Sequence, residues 1–473
     1  MQKFLDPLNK NNAPLNQIIK YLIAAILVIV PLYPKFPFIH IPGTYVSIRF
    51  EDFLLAITAL FILIKVIPDI KKIFNDNIAR AIMLFLLIGL VSLLTGIFLT
   101  QTVVANIGVL HFLRRVEYFI PFFAFLVFSF PKKNLPTQPG KNLSFYIKVL
   151  MLTVFVAFLY GVGQRYFYLP VIMTQNSESS KGMALRWTPG SQATSTFAGH
   201  YDLAAFMVLV LPILISLIFV VKDIKFKILL SIVSLSGYWL LINTASRISL
   251  VSYLIGVCVS LFLLKKYKAI FFVVITSLIL TSFSPSLFAR YKNLIDVYSQ
   301  KIKNVKLINV NPYKFRVLAQ EVTLPARTEV PAPIVKPKSV IEDRSTSIRL
   351  NIEWPRAIRA FSKNPLLGTG YSSIGLASDN DYLRLLAEIG LLGFLSFILI
   401  LVRIILVFIS AFPLTEKLSG IRLGFVAGII GGVSGILINA VFIDVFEASK
   451  FAIIFWLLLG CAVGIVRNNN YEE

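Results

Sequence analysis

The chain has 473 residues, 57% of them apolar and 13% aromatic, with only 15% charged. Soluble domains carry about 45–50% apolar and about 25% charged residues, so a mean hydropathy of +0.80 excludes an ordinary soluble enzyme and indicates a chain built for lipid. The net charge of +23 would suit nucleic acid, but the basic residues collect at joints between apolar runs, which excludes that partner.

A membrane-spanning helix needs about 20 predominantly apolar residues. The pattern predicts an all-α, polytopic protein of twelve such spans in a single domain over 1–473. They are expected near 17–33, 51–68, 78–100, 105–130, 144–167, 199–221, 225–243, 247–264, 268–285, 383–411, 420–443 and 449–467. Lys3, Lys10 and Lys20 precede the first run, which reads as a spanning helix and not as a cleavable leader. The fourth run is amphipathic enough to suit partial placement in the interface. The joints carrying Lys71, Lys72 and Arg80, then Lys132, Lys133 and Lys141, then Lys222, Lys225 and Lys227 are strongly basic. Lys265, Lys266 and Lys268 follow, then Lys417 and Arg422, whereas the joints around Gln101 and Asn243 are nearly free of lysine. That alternation is the positive-inside pattern, and the lysines would also touch anionic membrane lipid. It places the basic joints and both termini in the cytoplasm, and 34–50, 168–198 and 286–382 outside. The two cysteines, Cys258 and Cys461, lie in apolar runs and read as small core residues.

The long outer segment falls between the ninth and tenth spans. Arg290 to Val317 mixes apolar and basic residues and could hold a surface helix, and Leu318 to Val340 is a Pro-rich linker. From Ile348 the pattern tightens: Leu350, Trp354, Ala357 and Phe361 recur at helical spacing. Pro355 should kink that helix or set its start, Asn364-Pro365 ends it, and Gly368-Thr369-Gly370 supplies a turn.

These residues carry a resemblance to a known family. Arg349 with Trp354 and Ala357, NPLLGTG at 364–370 and DNDYLRLLAEIGLLG at 379–393 resemble, in this order, the O-antigen ligase and O-antigen polymerase superfamily of bacterial membrane glycosyltransferases. Thr244-Ala245-Ser246-Arg247 is similar to the family's Ser-Arg at the outer start of a helix, and RWTPGSQATSTFAGHYDLAAF at 186–206 to its Arg-containing loop. The similarity is strongest over 237–400. It implies about twelve helices with a large outer loop between the ninth and tenth. It also implies inverting transfer of a glycan from a polyprenyl diphosphate carrier to a hydroxyl on a glycan, lipid or protein, with no metal or other cofactor. The place implied is the bacterial plasma membrane, with the active face outside.

Breaking a sugar–diphosphate bond builds negative charge on phosphate oxygens, which preorganised cations stabilise, and arginine grips phosphate through a planar fork. Arg247 and Arg349 match the family's diphosphate-binding arginines; their other readings are an interface residue and an i,i+4 partner of Glu353. Arg186 is a further candidate or an ordinary loop charge. Arg114 and Arg115 are adjacent charges inside an apolar run, where arginines face a cavity or a partner. One of them lines the path of the carrier diphosphate, or Arg114 pairs with Glu117. Many family members carry His-Asn where this chain has Asp379-Asn380. Asp379 is therefore the candidate base, or else a helix N-cap or a sugar contact, with Asp381 and Glu388 as alternates. The motif also makes Asn380 and Tyr382 substrate contacts. His200, near Asp202, could bind sugar, supply the missing imidazole or brace a helix start. His40 and His111 have no such company, and three scattered histidines suggest no metal site. A second function class is a transporter or flippase for a lipid-linked sugar or an anion; no internal repeat supports it.

Overall fold

A computed structural model describes residues 12–34, 37–41, 44, 47–128, 139–172, 184–185, 192–284, 347–375 and 378–469. Arg186 and the stretches read as a surface helix and a Pro-rich linker lie outside these residues.

The chain is all-α and polytopic. Its helices are α1 (Asn12–Leu32), α2 (Phe50–Val66), α3 (Ile70–Asn75), α4 (Asn77–Phe98), α5 (Ala105–Phe128), α6 (Pro139–Phe167), α7 (His200–Ile218) and α8 (Ile224–Asn243). They continue with α9 (Arg247–Leu263), α10 (Tyr267–Ser282), α11 (Trp354–Lys363), α12 (Asp381–Ser410), α13 (Leu414–Lys417), α14 (Gly420–Asn439) and α15 (Ser449–Asn469). Twelve of these, all but α3, α11 and α13, fall on the expected runs, because only a helix satisfies every backbone group of an apolar segment within lipid. Eight are both long and apolar enough to cross a membrane, and α9 and α10 are shorter apolar helices. The only strands among the described residues are two small antiparallel pairs, Pro37–His40 with Ser47–Arg49 and Val171–Ile172 with Ala184–Leu185.

Burial identifies the centre of the bundle. The spanning window of α15 is 100% buried and that of α7 is 83%, against 39–56% for the other six long helices. α14 brings the glycines of its GIRLGFVAGIIGGVSG run against both α7 and α9. A Cβ at Gly428 would meet the Ile213 backbone, and Gly431 and Gly256 face one another's carbonyls. Small residues permit this approach, which lets backbones pack where lipid offers no hydrophobic drive between helices.

The two ends of the bundle differ. At one end Asp76 caps α4, accepting from Ile78 N and Ala79 N at 2.9 Å, and pairs with Arg467 at 2.7 Å. The polarity of the helices puts the described lysine-rich joints, those of Lys71, Lys222, Lys265 and Lys417, at this end. The opposite end gathers the finish of α1, α11 and the Asn364–Gly370 turn. It also collects the starts of α2, α5, α7, α9, α12 and α15 and the finish of α14.

α12 is broken at Gly390, whose φ is +69°. Leu391 N and Leu392 N, which a continuous helix would direct to Ala387 and Glu388, instead donate to Pro365 O (2.8 Å) and Leu366 O (3.1 Å). The freed carbonyls of Ala387 and Glu388 accept from Thr369 N (2.9 Å) and Gly370 N (2.8 Å). NPLLGTG thus threads its backbone into the gap like a strand, which answers the demand that buried backbone be paired. Gly368, also at φ +69°, and Gly390 sit against each other's backbone with no room for a Cβ. Gly368→Ala and Gly390→Ala are each expected to lower the thermal unfolding temperature in detergent. The left-handed backbone alone costs about 1–2 kcal/mol, and the overlap with an immovable main chain adds to it.

Candidate functional site

Arg349 and Asp379 meet at the polar end of the bundle. Asp379 Oδ2 accepts from Arg349 Nε at 2.9 Å and lies 2.8 Å from Nη2. The arginine is nearly buried and the carboxylate keeps an exposed edge, with side-chain exposures of 10% and 26%. Tyr201 lies under the guanidinium, its ring centre 5.9 Å from Cζ, and His200 stacks on Tyr201 at 4.1 Å. Burial lifts the Asp379 carboxyl above the ordinary aspartate range, against the pull of Arg349, and Asp444 adds to the lift.

Local backbone aims both groups. Arg349–Glu353 forms a π turn closed by Trp354 N on Arg349 O, and α11 starts only at Trp354 with Pro355 in its first turn. The proline therefore stands in the first turn of α11, directly after the π turn, where a missing N–H is best tolerated. Ala357 is buried as the helical spacing predicts, whereas Leu350, on the π turn, stands 52% exposed. Asp379 has φ +48°, a left-handed conformation that puts it outside the helix. The cap of α12 is Asn380, whose Oδ1 accepts from Leu383 N at 2.9 Å. Asp444 fixes this corner: its carboxylate accepts from Ser378 N (2.7 Å), Ser378 Oγ (2.7 Å) and Asn380 N (2.9 Å), on both sides of Asp379. Asp381 returns the favour, taking Val445 N at 2.8 Å and Phe446 N at 3.2 Å, while its own N–H donates to Ala440 O.

A buried ionic network supports the corner. Arg384, 3% exposed, reaches Asp444 (3.0 Å), Glu447 (3.2 Å), Glu388 (3.4 Å) and the Gly375 carbonyl (3.1 Å). Glu388 also accepts from Ser372 N at 3.2 Å. Arg115 pairs with Glu447 and donates to Phe446 O at 2.9 Å.

Residues 231–398 match the family model described as O-Antigen ligase. That stretch belongs to the O-antigen ligase and polymerase superfamily. No curated protein matches the chain. The family supports a ligase- or polymerase-like membrane glycosyltransferase whose partners are a lipid-linked glycan and an acceptor.

The O-antigen ligase segment holds Arg247, Arg349, Glu353, Asp379 and Arg384, whereas Arg115 and Tyr201 come from helices outside it, and Asp444 and Glu447 from the joint between α14 and α15. Arg247 opens α9, half-buried, and its helix start is tied to the end of α14: Ser246 caps α9, and Ser249 Oγ donates to Asn439 Oδ1 at 3.1 Å. Arg114 and Arg115 diverge. Arg114 faces Asp52 at 3.9 Å and the Ser47 carbonyl, while Arg115 joins the Arg384 network. The Tyr382 hydroxyl donates to Leu437 O at 2.7 Å, so it holds α12 to α14. The sequence reading missed Tyr201, Arg384, Asp444, Glu447 and the fully buried Lys450, which donates to Pro31 O, Tyr33 O and Thr196 O. One signal was available: charges inside or beside apolar spans face partners or cavities, and FIDVFEASK at 442–450 is such a cluster.

Proposed function

We propose that this chain moves a glycan from a polyprenyl diphosphate carrier to a hydroxyl of a glycan, a lipid or a protein, inverting the anomeric carbon, on the outer face of a bacterial plasma membrane. The observation that carries this reading is the Arg349–Asp379 pair, half-sunk at the end of the bundle opposite the lysine-rich joints. Arg349 takes the diphosphate with Arg247 and stabilises the charge that leaves with it. An arriving diphosphate exchanges one anion for another at Arg349, which frees Asp379 to accept the proton of the attacking hydroxyl. The acceptor oxygen bonds to the anomeric carbon, the carbon–oxygen bond to phosphate breaks, and its electrons leave on the lipid diphosphate. The arginines supply the positive charge, so the reading needs no metal or cofactor.

A base must be ionised to act. Transfer by the wild type is expected to fall as pH drops through a pKa above the ordinary aspartate value of about 3.9. Asp379→Asn is expected to remove that limb and most of the rate, with the cap untouched because Asn380 provides it. Full turnover in Asp379→Asn would reject the assignment.

The break in α12 at Gly390 favours a second reading, movement of a lipid-linked sugar or an anion, since broken helices mark transporter sites. Purified protein in detergent with a polyprenyl-diphosphate glycan donor separates the two. Release of polyprenyl diphosphate with no second compartment present supports the transferase. Passage of intact labelled donor across vesicles, with no bond broken, supports the transporter.

A further inference from the structure

Two side-chain atoms beside the Arg349–Asp379 pair are shut off from solvent yet have no hydrogen-bond partner among the described residues: Glu353 Oε2 and Trp354 Nε1. One only accepts and the other only donates. Buried polar atoms are ordinarily paired, and an unpaired one needs an explanation in the site it faces. The π turn brings them there. At 3.6 residues per turn, Trp354 would stand about 140° around the helix from Arg349, but the bond from Trp354 N to Arg349 O stacks the two on one side. Such single π turns are frequent at functional sites. Trp354 is held from behind by Phe442, at 6.2 Å between ring centres, on the same joint as Asp444.

Charge decides what the pair could take. The groups facing Glu353 are Asp379, Asp444, Arg349 and Arg356, and burial together with the two aspartates raises its carboxyl above the ordinary glutamate range. The three carboxylates are balanced by Arg349, Arg356 and Arg384, which leaves no excess positive charge for a phosphate, so this side suits a neutral ligand. A sugar hydroxyl both donates and accepts, which matches a carboxylate oxygen next to an indole N–H.

We propose that Glu353 and Trp354 form the acceptor-sugar subsite, Glu353 Oε2 accepting from and Trp354 Nε1 donating to a hydroxyl of the incoming glycan. The inference rests on the transferase reading. The donor diphosphate lies on the Arg349 side of the pair, and the acceptor lies on the Glu353 side.

The test is steady-state transfer by purified full-length protein, with a polyprenyl-diphosphate glycan as donor and glycans released from the native envelope as acceptor. Glu353→Gln and Trp354→Phe are each expected to raise the acceptor KM by about tenfold, the worth of one hydrogen bond, with kcat and donor KM within about twofold of wild type. Both variants are expected to stay folded, because Gln keeps the shape of Glu353 and Phe keeps an aromatic ring against Phe442. Unchanged acceptor KM in both variants, or a loss confined to kcat or to stability, overturns the subsite while leaving the transferase reading standing. If the wild type releases no polyprenyl diphosphate, the transferase reading falls and the subsite with it.

Discussion

Arg349→Ala is expected to abolish glycan transfer while the protein stays folded in the membrane. Removing one preorganised donor from developing negative charge costs about 10²–10³-fold in rate. Here the loss compounds, because Asp379 also loses the guanidinium that its Oδ2 is paired with. Arg349→Lys keeps the charge but loses the fork, and with it the paired Nε and Nη2 geometry, so it is expected to fall between the two. Arg247→Ala should act in the same direction. Initial rates of polyprenyl diphosphate release, beside thermal unfolding of the same preparations, check both parts. Wild-type turnover in Arg349→Ala would remove the diphosphate-binding role.

Arg384→Ala should fail differently, through the fold. Its guanidinium is the shared counter-charge of Asp444, Glu388 and Glu447, nearly all of it out of water. Breaking a buried pair costs about 3–5 kcal/mol, because it strands the remaining charge, and this substitution takes the guanidinium from Asp444 and Glu388 together, Glu447 keeping Arg115. Asp444 then loses its hold on the backbone around Asp379, and the joint 440–448 loses its tie to α12. The expected result is little folded protein from the membrane and a markedly lower unfolding temperature in detergent. An Arg384→Ala protein as stable as wild type, and inactive, would instead move this arginine from the scaffold into the reaction.

Much of the architecture was legible because lipid simplifies the code. A run of about 20 apolar residues has few alternatives to a helix, and a helix falls on each of the twelve runs, eight of them long and apolar enough to cross a membrane. The described basic joints share one end because the helices that flank them run in opposite directions. What stayed hidden depends on pairings between distant residues. NPLLGTG reads locally as a turn, and nothing in its composition says that it fills the gap opened at Gly390, some twenty residues on. Arg349 with Glu353 is a proper i,i+4 spacing, but the π turn changes the register and the partner is Asp379. The capping role expected at Asp379 sits one residue later, on Asn380, since the left-handed backbone at Asp379 turns that side chain away from the helix. The exchange between Asp381 and Asp444 spans more than sixty residues of chain, a distance at which pattern carries no information about contact.

The central claim is that the Arg349–Asp379 pair opens to receive the lipid diphosphate. A structure of the full chain with polyprenyl diphosphate bound tests it most directly. The account predicts diphosphate density against Arg349 and Arg247, with Asp379 released from the guanidinium and turned toward the acceptor side. Diphosphate seated elsewhere, with the 2.8 Å pair intact, would contradict it.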